Sequence, residues 1–122
     1  MVVPRSHGYY QGRSHHFLTL VNDFLERGEL EIACEVLWGA AAHAIKSVAQ
    51  RKGWEHGSHG LLLITINRLI EETGAPQYLH GQYRMASDFH VGFYGDRLFG
   101  PEHLRMGRAL IAEFVQALEG LS

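Results

Sequence analysis

The chain has almost nothing with which small folds are stapled. Its single cysteine, Cys34, cannot close an internal disulfide. That cysteine lies in the apolar run Ile32-Ala33-Cys34-Glu35-Val36-Leu37, where a buried free thiol in a reducing cytoplasm is expected. Three prolines, at positions 4, 76 and 101, leave the stretches between them free to be helical. The N-terminal stretch of residues 1–10 lacks the apolar core of a signal peptide, and no stretch reads as the ~18 consecutive apolar residues of a membrane span. A cytoplasmic protein with no membrane partner is therefore expected.

Charge of one sign is equally scarce. A net charge of −2 and a pI near 6.5 exclude a global positive field, so any attraction for nucleic acid has to be local. No glycine cluster stands in the strand-to-helix context of a phosphate loop, which argues against a nucleotide hydrolase of that kind. Paired cysteines and a His-Glu-x-x-His helix are missing too, and although His56, His59 and His43 invite a metal reading, capping and linker roles suit them better. No metal and no cofactor are expected.

What the chain does have is helical periodicity. With 122 residues, 46% of them hydrophobic, it can bury one core without outside help. Residues 1–13, with Pro4, Gly8 and Gly12, read as a flexible arm, and Ser14 as the cap of a first helix carrying Phe17, Leu18, Val21, Phe24 and Leu25. A second helix over 29–52 ends at Gly53, and its Gly39-Ala40-Ala41-Ala42 stretch permits close helix contact. Ser58 caps a third that ends at Gly74, Pro76 opens a fourth that weakens near Gly92 and Gly95 before a turn at Asp96 and Arg97, and Pro101 opens a strongly amphipathic fifth. Short links between long helices favour antiparallel neighbours, so the expected fold is all-α: an antiparallel up-and-down four-helix bundle with an additional short helix, occupying residues 14–122.

The fourth helix holds the residue pair with the most chemistry. Arg84 can hold a phosphate through parallel hydrogen bonds, and His90 can move a proton near neutral pH. Tyr83, Tyr94, Phe89 and Phe93 offer rings for stacking bases, with Ser87 and Asp88 as polar neighbours. Blander readings stand beside these: His90 as a hydrogen-bonded histidine in a core or interface, and Arg84 paired with Asp88 on the helix surface. Trp38 and Trp54 are expected to pack.

The stretch 24–35, the small-residue helix around 38–46, and His90-Val91-Gly92-Phe93-Tyr94 together resemble the HEPN superfamily of small helical bundles, over roughly residues 14–121. Catalytic members of that superfamily carry an Arg, four to six residues and a His, and Arg84 with His90 fits with five between, although Met85 stands where a polar residue commonly follows the Arg. The resemblance implies a homodimer that binds RNA or nucleotides and cleaves RNA without metal, as a toxin whose antitoxin is a small nucleotidyltransferase. It equally implies an alternative, a non-catalytic dimeric module that holds such a partner. Six residues along one helix separate two side chains by about 120° and ~9 Å, so a dimer cleft is the expected way for Arg84 and His90 to meet.

Overall fold

Ser6 starts the first helix. Its backbone is extended and its hydroxyl accepts the amide of Tyr9 at 3.1 Å, the geometry of an N-cap. The computed structural model describes residues 5–94 and 99–121, with the side chains of residues 93 and 94 outside that description. Five helices follow: α1 (His7–Glu26), α2 (Leu30–Lys52), α3 (His59–Thr73), α4 (Tyr78–Tyr94) and α5 (Pro101–Leu121). The protein is all-α, with no strand among the described residues.

The expected arm is corrected by this helix start, since residues 7–13 form the first two turns of α1. Two glycines cost such a segment roughly 1 kcal/mol each relative to alanine. Tertiary contacts offset that cost: Tyr10 is buried, and the Ser47 hydroxyl donates to the carbonyl of His7 at 2.9 Å. Ser14, expected as the cap, is instead buried inside α1, where its hydroxyl donates to the Ala40 carbonyl at 2.7 Å.

The remaining boundaries follow their chemistry. α2 and α3 end at Gly53 and Gly74, both left-handed with φ of 75° and 67°, a conformation in which a Cβ would be strained. The Ser58 hydroxyl accepts the amide of Leu61 at 3.2 Å and caps α3. The expected turn at Asp96 and Arg97 lies outside the described residues.

α2 is the central element and packs against all four other helices. Leu37, Ala41, Ile45 and Val48 meet Val21 and Leu25 of α1, Leu62 and Ile66 of α3, Leu79, Ala86 and Phe89 of α4, and Leu104, Ile111 and Phe114 of α5 in one core. This explains why α2 contains an 18-residue window of mean hydropathy 1.2 and passes for a membrane span by length and composition, although no 18-residue stretch of it is unbroken by charge. Two thirds of that window (67%) is covered by the rest of the fold. Cys34 is buried here as well, and burial, followed by the charges of Glu31 and Glu35, pushes its thiol up to about 11. It is a packing residue rather than a nucleophile.

Two close approaches fix the helix positions. A Cβ on Gly39 would meet the Phe17 ring at 2.7 Å, so α1 reaches α2 only because that position carries no side chain. The Phe89 ring lies on Gly107 of α5 in the same way. Phe89 is therefore wholly buried and has no face to offer a base, contrary to the expectation for that ring.

Candidate functional site

A carboxylate and an imidazole meet where α2 and α4 pack together. Glu35 is half-exposed on α2, and both of its oxygens lie within 3.0 Å of Nδ1 of His90. Such a half-exposed pair stabilises a fold by only ~0–1 kcal/mol. Its larger effect is orientation: with Nδ1–H directed at the carboxylate, the neutral ring carries its lone pair on Nε2. A carboxylate that fixes the tautomer and plane of an imidazole is the arrangement general acid–base sites use.

Rings hold this pair in place. Trp38, one turn beyond Glu35 on α2, lies 5.5 Å from the His90 ring and is stacked on His59 at 4.6 Å with 29° between planes. His59, the first residue of α3, is 4.7 Å from His90. Its imidazole titrates below the ordinary histidine range, chiefly because burial disfavours the charged form and because His90 adds repulsion, with Glu35 opposing both. The Tyr83 hydroxyl donates to the His59 carbonyl at 3.3 Å and its ring meets Trp38 edge-on at 6.0 Å, so Tyr83 supports the site from below.

The residues singled out on α4 are dispersed by the helix. Arg84 is exposed and makes no ion pair among the described residues, so the surface pair with Asp88 is not formed. The order of charges explains this in part, since an Arg before an acid at four-residue spacing is the weaker orientation on a helix. α4 is continuous between Arg84 and His90, so the two leave it about 120° apart. One chain alone does not bring them together. Ser87 is half-buried, Asp88 is exposed, Tyr83 is buried with its hydroxyl engaged, and the side chain of Tyr94, like that of Phe93, lies outside the described residues.

Glu35, Trp38 and His59 were missed as site residues in the sequence. Glu35 stands 55 residues from His90, and nothing in a local pattern links them. The one usable signal was the polar Glu35 inside an apolar helix run, beside a cysteine that is buried. His56 and His59, considered together as metal ligands, go separate ways: His56 donates to the Gln50 side chain at 2.9 Å, while His59 stacks on Trp38. Among the described residues no three metal-ligating side chains converge.

Beside this pair runs a cleft of about 460 Å³ between α2, the link after it and the start of α3. Glu35 and Trp38 line one end and His43, Lys46 and His56 the other. Nδ1 of His43 donates to the Gly39 carbonyl at 2.7 Å. Burial holds the pKa of His43 below the ordinary range, with Lys46, Arg13 and Arg5 lowering it further and the Gly39 bond opposing them. His56 is lowered in the same way by burial and by Lys46.

Fold and site together define an all-helical protein with a carboxylate-oriented imidazole at the edge of a ring-lined cleft. Residues 12–106 match the family model described as the archaeal PaREP1/PaREP8 family, which covers most of the chain, and the protein belongs to that family. No curated protein is detectably similar to it.

Proposed function

We propose that this PaREP1/PaREP8 member is an HEPN-like four-helix bundle with one added helix, and that its dimer binds RNA and cleaves it without metal. The observation that carries this reading is the Glu35–His90 pair, an imidazole oriented by a carboxylate and left half-exposed beside a cleft. In the proposed reaction the 2′-hydroxyl forms a bond to the adjacent phosphorus and the bond from phosphorus to the 5′-oxygen breaks. His90 takes the hydroxyl proton and then returns it, as the imidazolium so formed, to the leaving oxygen. The products are a cyclic phosphate and a 5′-hydroxyl. Arg84, supplied by the second copy, stabilises the charge on the phosphate oxygens.

A second reading draws on the position of Arg84, which points away from His90 within one chain. In it the chain is a non-catalytic dimeric module whose α4 surface holds a partner such as a small nucleotidyltransferase. Incubation of the purified protein with single-stranded RNA in excess chelator separates the two. Catalysis predicts cyclic-phosphate ends, a loss of at least about 100-fold in His90→Ala, and a smaller loss in Glu35→Gln, where the ring stays but its orientation is weakened. RNA left intact, or cut equally by wild type and His90→Ala, removes the enzyme reading and leaves the module.

A further inference from the structure

The two ends of the α2 cleft differ in charge. Glu35 and Lys46, both in its wall, are eleven residues apart on one helix, ~16 Å along the axis. At the Lys46 end the chain gathers three cations, because Arg5 and Arg13 act on His43 together with Lys46. None of the three forms an ion pair among the described residues. Each lies on a ring instead: Arg5 over Tyr9 at 4.9 Å, Arg13 over Phe17 at 4.8 Å, and Lys46 near Tyr10 at 6.0 Å. In a molecule of net charge −2 this is a concentration of positive charge without local compensation.

Hydrogen-bonding groups at that end point the same way. Nε2 of His43 has no hydrogen-bond partner among the described residues, and His43 sits between the Tyr10 and Phe17 rings at 6.0 and 5.0 Å. His56 packs on Tyr10 at 5.3 Å. Toward the other end the wall is the exposed ring of His59, whose inner face is stacked on the buried Trp38. A cavity of 460 Å³ is in the range that encloses a small organic ligand.

We propose that the α2 cleft binds a phosphate ester carried beside a planar ring, with the phosphate at Lys46, His43 and His56 and the ring against the exposed face of His59. This binding site adjoins the His90 site, with which it shares Glu35 and His59, but the proposal stands whether or not RNA is cut. The anion recruits protons to the imidazoles facing it. His43, surrounded by Arg5, Arg13 and Lys46, and His56, facing Lys46, gain a counter-charge on binding, whereas Glu35 at the far end repels a phosphate and fixes the ligand's direction.

The full chain titrated calorimetrically with AMP, inorganic phosphate, adenosine and a 5′-phosphorylated RNA octamer tests this. AMP is expected to bind at least about tenfold more tightly than either phosphate or adenosine alone. Titration at pH 7.0 in two buffers of different ionisation enthalpy is expected to show net proton uptake, reduced in His43→Gln. An octamer that binds more tightly than AMP identifies a strand end as the source of the ester, and one that binds no better identifies a free ester. Lys46→Gln is expected to lose about tenfold in AMP affinity, and Arg13→Gln, on the adjoining helix, serves if the first variant melts early. No AMP binding at millimolar concentration, or equal affinity in wild type and both cation variants, overturns the site. Neither result bears on chelator-resistant cleavage at His90.

Discussion

His43 is the residue at which the fold most plainly opposes a charge. Desolvation and three nearby cations favour its neutral form, and only its bond to the Gly39 carbonyl favours the proton. The folded pKa therefore lies below the unfolded value of 6.5, so on acidification the unfolded chain takes up the proton first. The stability tied to this neutrality is complete above pH ~6.5 and is lost as pH falls through the folded pKa. His56 and His59 are shifted in the same direction but are more open to solvent, which weakens their contributions. Denaturant midpoints measured between pH 7.5 and 5.5, above the carboxylate range, should fall for the wild type and fall less for His43→Gln. Parallel pH profiles for the two proteins would remove His43 as the cause. Glu35 and His90 illustrate a different balance at the same scale: the pair is too exposed to matter much to stability, and its value is the direction it imposes on one ring.

Between α1 and α2 the spacing is set by what Gly39 lacks. The Phe17 ring occupies the position of its absent Cβ, and Ser14 donates to the carbonyl of the next residue. Gly39→Ala gains helix propensity of roughly 1 kcal/mol, but overpacking of this kind typically costs ~1–3 kcal/mol. The net expectation is a protein destabilised by about 1 kcal/mol, or neutral if Phe17 can turn. Because Phe17 also lines the cleft, a spectroscopic change at Trp38 should accompany the substitution. A clearly raised melting temperature would show that Phe17 does not fix the approach. The small-residue run 39–42 was legible in sequence as a close-contact segment, as were the stops at Gly53 and Gly74 and the Ser58 cap, since each is a local rule with a local cause. The start of α1 was not legible, because Gly8 and Gly12 mask the local Ser6 cap, and the segment is held by Tyr10 burial and the Ser47 bond, forty residues away. Site residues divide in the same way. His90 could be singled out by type and spacing, whereas Glu35 and His59 reach it only through the packing of α2 and α3 on α4.

At the scale of the whole molecule, one chain holds the parts of the proposed RNA site without assembling them. The α2–α4 contact turns His90 toward Glu35, and the continuous α4 leaves Arg84 exposed about 120° away. A proton-transfer group and a phosphate-holding group so divided can act on one phosphodiester only if a twofold brings the guanidinium of one copy to the imidazole of the other. That requirement makes a sharp prediction about mixtures. In Arg84→Ala mixed with His90→Ala and allowed to exchange protomers, half of the dimers pair one variant with the other. Each mixed dimer then combines the intact arginine of one chain with the intact histidine of its mate at one of two sites. Cleavage should return to about a quarter of the wild-type rate, although each variant alone is inactive. If arginine and histidine had to come from the same chain, no mixture would contain an intact site, and the rate would stay at the level of the separate variants. Ribonuclease assays before and after brief mild denaturation and refolding of the mixture, with dimer mass followed alongside, read the difference directly. A rate that stays at background while mixed dimers form would reject the shared site and turn attention to the exposed α4 face around Arg84 as a surface for a protein partner.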